Sequence, residues 1–358
     1  MEFIKYEIQK GDTLKSIAEK YDLDANEMKI FHNENCGITG IILNDDLPLH
    51  LKYILINKNI IHQKKKNKAK SGELDFNQQA RYRCEQINTS KFNNNLVHYV
   101  EQHFQYLLKH NLSLETGYVK LEDYNKEISP KFLEETFDFI EKTDRIKNNV
   151  LFNLDIETGK PKQILNKKEI NDNWLYFKQK EFYNIPFIKK IGETNRGAVE
   201  ELLDMGDQQF SLSANNEEEY WRDFFYFCCF DQYLFKESQW ENVKFDFIST
   251  IVPPIIIPLN LRYDKIDEND GIVSIRKVAE YEMSEKLLTE IRNRYDELHR
   301  AVVKYDFTAY KIIFRSTIEM NTKTKTINNA RVVLKEEISD NIENECIFTV
   351  KKLENFTP

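Results

Sequence analysis

The chain is poor in the residues that break or tether a backbone: its 358 residues include only 10 glycines, 8 prolines and 5 cysteines. So little Gly and Pro excludes a collagenous or low-complexity chain, and 41% apolar with 31% charged residues is a folded globular composition. The cysteines (Cys36, Cys84, Cys228, Cys229, Cys346) are odd in number, include an adjacent pair and form no C-x-x-C. That leaves neither a disulfide framework nor a zinc spacing, and five buried thiols in a reducing compartment are expected. Long apolar runs are also missing. The longest stretches, 224–230 and the proline-broken 248–261, fall short of the ~20 residues a bilayer span requires, so no membrane span is expected. Positive charge is in deficit. With 51 Lys and Arg against 59 Asp and Glu, the net charge of −8 argues against a broad nucleic-acid-binding surface. No basic region precedes an apolar core after Met1, so the chain reads as cytoplasmic when synthesised, and meeting a cell wall would take a non-classical or contractile export route.

This length suits two or three domains. A polar, basic run carrying Lys64, Lys65, Lys66, Lys68 and Lys70 ahead of Ser71-Gly72 marks a boundary, which divides the chain into 1–57, a linker 58–80, and two larger stretches, 81–205 and 206–358. Within these, segments 82–87, 117–121, 149–155 and 163–165 read as strands. Leu96, Val97, Val100, Phe104, Leu107 and Leu108 fall at helical spacing, as do residues 171–182. Asp270-Gly271 between two alternating runs predicts a hairpin, a long amphipathic helix is expected over 283–304, and three strands are expected over 309–320, 325–336 and 346–353. Both halves pair antiparallel strands with long helices, so the expected class is α+β, with two similar halves.

The first sixty residues form a unit of their own. Phe3, Ile4, Tyr6 and Ile8 predict a strand, and Lys10-Gly11-Asp12-Thr13 a turn that can cap a helix. Leu14, Ile17, Ala18 and Tyr21 then supply one apolar helical face. Met28, Ile30 and Phe31 belong to a second helix, and Tyr53, Leu55 and Ile56 to a closing strand. This strand-helix-helix-strand order, with Gly11-Asp12-Thr13-Leu14, the Ile17-Ala18 pair and Tyr21 at their spacing, resembles a LysM domain over residues 3–57. The second half departs from the family: Asn33 or Asn35 is followed by a longer 38–50 segment, and the closing strand lacks the usual Pro. The resemblance implies a groove for N-acetylglucosamine polymers of peptidoglycan or chitin, with Gly11, Asp12, Thr13 and Leu14 on one side and Asn35, Gly37 and Ile38 on the other.

Signals for chemistry are sparse. No nucleophile elbow, dinucleotide fingerprint or H-E-x-x-H occurs, and Gly192 to Gly197 imitates a phosphate loop without its Lys. His98, Glu101 and His103 could be set around an ion on one helix, but the two histidines are five apart and there point about 140° from each other, too far to share it. No catalytic residue, metal or cofactor is therefore expected. Glu217-Glu218-Glu219 beside Tyr220-Trp221 has the residue types of a glycosidase pair but also reads as a solvated helix start. Three functions fit: a non-enzymatic glycan-binding protein, a structural component of a phage-tail-like contractile machine with protein partners, and a cell-wall hydrolase.

Overall fold

A computed structural model describes residues 3–21, 23–37, 40–42, 47–48, 50–57, 75–215, 217–237 and 239–353; the Lys-rich run 64–70 and Ile38 lie outside the described residues. The chain forms two compact units, one comprising Met1–Phe76 with Asn111–Thr116 and the other Asn77–His110 with Gly117–Pro358.

The small unit has the expected βααβ order: β1 (Phe3–Glu7), α1 (Leu14–Lys20), α2 (Ala25–Asn35) and β2 (Tyr53–Asn57). The two strands pair antiparallel, with Ile4 opposite Ile56 and Tyr6 opposite Ile54. Leu14, Ile17 and Ala18, one face of α1 by their spacing, meet Met28, Ile42, Ile54 and Ile56 in a closed core. Asp24 caps α2 by accepting from the amides of Asn26 and Glu27.

The large unit begins with three long strands, β3 (Gln78–Phe92), β4 (Asn95–Asn111) and β5 (Thr116–Ser129), followed by α3 (Glu134–Lys147) and a short hairpin, β6 (Asn149–Leu154) and β7 (Pro161–Ile164). Five helices come next: α4 (Lys167–Lys180), α5 (Pro186–Thr194), α6 (Arg196–Phe210), α7 (Glu217–Tyr220) and α8 (Phe224–Cys229). The chain ends with β8 (Val243–Ile248), β9 (Ile256–Asn269), β10 (Ile272–Glu280), α9 (Glu285–Leu298), α10 (Arg300–Val303), β11 (Tyr310–Asn321), β12 (Ile327–Ile338) and β13 (Ile342–Lys352). All eleven strands of this unit share one sheet, in the order β7-β6-β5-β4-β3-β13-β12-β11-β10-β9-β8. β3–β7 precede the helices in sequence and β8–β13 follow them, and the two sets meet where β3 pairs antiparallel with β13. The class is α+β. Asp270 and Gly271, both at positive φ, make the predicted β9–β10 turn.

The structure corrects one helix to a strand, and of the five cysteines expected to be buried, Cys36 and Cys346 are only half-buried. Residues 96–108 are strand, not helix, and belong to β4. Their apolar residues fit spacings of three and four, but Val100, Phe104, Tyr106 and Leu108, with Gln102 between, also alternate. Between β3 and β5 this alternation buries one whole face, which a helix at that place would leave unpaired.

Aromatic residues of α7, α8 and the turns around them fill one face of the sheet. Phe225 stacks on Tyr106 at 4.1 Å between centroids, and Phe227 lies 5.2 Å from Phe314. Lys277 and Asp231 form an ion pair of 2.6 Å inside this layer, each side chain 1% exposed. Lys277 also donates to the Phe227 carbonyl, and Asp231 accepts from Tyr263 and the Gln232 amide, so the pair is satisfied on both sides.

Candidate functional site

The sequence-predicted site begins in the β1–α1 turn. Gly11 adopts φ +97°, a left-handed conformation in which its exposed backbone carries no Cβ. Asp12 is fixed from two sides: the Gln9 amide and the Tyr6 hydroxyl each donate to its Oδ2 at 2.8 Å. The Gln9 amide, followed by the Tyr6 hydroxyl, holds its carboxyl below the usual carboxylate range. Lys20 donates to the same Tyr6 oxygen at 3.1 Å, and that bond pushes its ammonium up. Tyr6 packs edge-on against Tyr21. Thr13 and Ser16 cap α1 reciprocally: each side-chain oxygen accepts from the other's amide, at 3.0 and 2.9 Å. The Thr13 hydroxyl thus accepts one bond and keeps its own hydrogen to donate. Leu14 differs from its neighbours. At 2% exposure its side chain belongs to the core and does not line the outside of the turn.

The other predicted side lies after α2. Asn35 is exposed and donates back to the Phe31 carbonyl at 2.8 Å; Gly37 is exposed, and its carbonyl accepts from Gly40 in a tight turn. Ile38 lies outside the described residues. Asn33 and His32, neither of them among the predicted site residues, anchor the loop. Asn33 makes a two-way bond with Ile42, donating to its carbonyl at 2.9 Å and accepting from its amide at 2.8 Å. His32, fully buried, accepts from the Leu55 amide at Nδ1 and so offers Nε2–H to the Gly40 carbonyl at 2.9 Å. An Asn and a His one helical turn before a Gly-containing loop were visible in the sequence, but nothing there distinguished Asn33 from Asn35. The small unit therefore presents a turn with fixed hydrogen-bonding groups and a loop pinned by the side chains of His32 and Asn33.

In the large unit, the glutamate run does not converge on one point. Glu217 and Glu218 line a cavity of about 620 Å³ with Lys160 and Trp221, whereas Glu219 lines a different cavity. Burial works to raise the Glu217 carboxyl, but Lys167 at 3.0 Å and the Ile164 amide outweigh it, and the group sits below its ordinary value. A carboxyl held ionised in this way is a poor general acid. Lys160 lies 3.4 Å from the centroid of the Trp221 ring, and burial lowers its ammonium.

Because 96–108 is a strand, the helical angle between His98 and His103 no longer applies; five residues apart, these two fall on opposite faces of β4, but Glu101 and His103 come together. They share one face, with His103 Nε2 2.9 Å from Glu101, and Glu85 stands directly opposite His103 on β3. Ligand atoms of these three lie within 4.8 Å of one another, so this group could hold a cation, although Glu101 already binds His103 and the Tyr99 hydroxyl.

Comparison with known proteins bears on the small unit. The family model described as LysM domain matches residues 6–30, the stretch that contains the β1–α1 turn and most of α2. No curated protein matches the chain. Among solved structures the chain is similar to one titled "Lipid-protein interactions in lipovitellin", at 11% identity and a TM-score of 0.35, with 78% of this chain covered. It spans 25% of that chain, and a likeness so weak carries no argument about fold or function.

Proposed function

We propose that this is a non-enzymatic binding protein whose N-terminal LysM module engages N-acetylglucosamine polymer, as in peptidoglycan or chitin, and holds the large α+β unit to it. The observation that carries this is the β1–α1 turn of a unit matched by the LysM family model. The Asp12 and Thr13 side chains are fixed there before any ligand arrives, so little side-chain freedom remains to be lost on binding. In this reading the Thr13 hydroxyl and turn amides bond the N-acetyl groups, while Asn35, Gly37 and Ile38 line the opposite side. Residues 1–57 are the binding module, 58–80 the Lys-rich connection, and the remaining chain is what the module positions.

Co-sedimentation of the full chain with purified, insoluble peptidoglycan tests this, with a Gly11→Ala/Asp12→Ala/Thr13→Ala variant as control. Saturable retention that the variant loses supports the reading. No retention, or retention indifferent to the variant, overturns it and points instead to a protein-docking role.

A further inference from the structure

A second cavity of the large unit, about 450 Å³, lies between α3, the α7–α8 segment and the face of β3 and β4 that meets them. Its volume is in the usual range for a small-molecule site. Three amides line the sheet side in a chain. Gln86 donates to Asn88 at 3.4 Å, Asn88 to Gln102 at 3.5 Å, and the buried Gln102 to the Tyr124 hydroxyl at 2.8 Å. The first two bonds are at the outer limit of length, so these amides can exchange them for better partners. Half-buried Phe137 and Phe224 supply apolar surface on the helical side.

Asp144, on α3, faces the same cavity. No hydrogen bond reaches its carboxyl among the described residues, and burial, reinforced by Asp223 and Glu141 against Lys147, pushes it up to about 6. Glu219 and Arg222 complete the charged groups around the cavity. A half-buried carboxyl among like charges, with no hydrogen-bond donor among the described residues, is costly to keep ionised, and such a group lining a cavity points to a ligand.

We propose that this cavity is a second saccharide site, in which Asp144 and the Gln86, Asn88 and Gln102 amides bond ring hydroxyls while Phe137 and Phe224 cover a C–H face of the sugar. Adjacent carboxylate, amides and aromatic rings suit a hydroxyl-rich ring, and Asp144, Glu219 and Asp223 against Lys147 and Arg222 leave the lining close to charge balance, with no strong demand for an ionic ligand. The assignment of saccharide as the ligand class rests on the glycan reading of the module. Each unit would then carry its own saccharide site.

Isothermal titration of the full chain with the N-acetylglucosamine tetramer separates the two sites. The chain carrying Gly11→Ala/Asp12→Ala/Thr13→Ala is expected to keep one saturable site, which Asp144→Leu then weakens at least tenfold. Gln102→Leu provides a second, independent lesion, and unchanged tryptophan emission confirms that each variant folds. If the module variant binds nothing, the second site is overturned and the module reading stands. Should the module lesion change nothing while Asp144→Leu removes all binding, the second site stands and the module reading falls. Absence of tetramer binding in the wild type overturns both, and binding of spermidine in place of the tetramer at the Asp144 cavity overturns the saccharide assignment.

Discussion

Asp144→Asn should make the protein more stable, and only above a defined pH. The wild-type carboxyl ordinarily titrates near 3.8, but in the fold burial and the neighbouring Asp223 and Glu141 push it up to about 6. Folding therefore favours the protonated form. Below pH 3.8 the group is neutral in both states and contributes nothing. As pH rises from 3.8 through 6 the unfolded chain releases this proton and the folded chain resists, so the group costs stability at ~1.36 kcal/mol per pH unit, about 3 kcal/mol once pH exceeds 6. An amide of the same shape escapes that cost. Urea unfolding followed by tryptophan fluorescence is the assay, since Trp174, Trp221 and Trp240 all lie in the large unit. The variant should match wild type at pH 4 and exceed it by about 2–3 kcal/mol at pH 7.5, the other titrating groups cancelling in the difference. Equal stabilities at both pH values would mean that the fold does not push this carboxyl up, and would remove one support for a ligand at Asp144.

Other perturbations test the framework. Lys277→Met leaves Asp231 charged and buried with only Tyr263 and the Gln232 amide, and should cost about 3–5 kcal/mol in the same urea assay, most of it recovered by adding Asp231→Leu. Gly206→Ala removes a helix-weakening glycine, yet a Cβ there would stand 2.2 Å from the Trp174 ring, so the variant should lose ~1–3 kcal/mol where propensity alone predicts a gain. Asn33→Ala frees Ile42 from both of its bonds and should speed amide exchange at Ile42, as well as weakening retention on peptidoglycan, while tryptophan-detected unfolding stays unchanged.

Local signals carried far in the small unit. Gly11-Asp12-Thr13 announces a turn and cap by chemistry confined to a few residues, and Leu14, Ile17 and Ala18 need only their spacing to declare a buried face. The Asp270-Gly271 hairpin and the long terminal strands were legible for the same reason. β4 was not, because its apolar residues satisfy helical and alternating periods at once, and only pairing with β3 and β5 decides between them. The distinction between Asn33 and Asn35 depends on a loop that closes back onto α2, which no local pattern contains. Glu217-Glu218-Glu219 looked like one acidic site, but on a helix successive side chains diverge by ~100°, and the run is shared between two cavities. The Asp144 cavity gathers side chains from β3, β4, α3 and α8, segments that come together only through the sheet order, so nothing in the sequence marked it.

Hydrogen–deuterium exchange of the full chain, with and without soluble peptidoglycan fragments, tests glycan binding by the LysM module most directly. Slowed exchange is expected in the peptides carrying residues 11–14 and 33–37, together in one titration. Unchanged exchange in both, at fragment concentrations that saturate the chain, would contradict it.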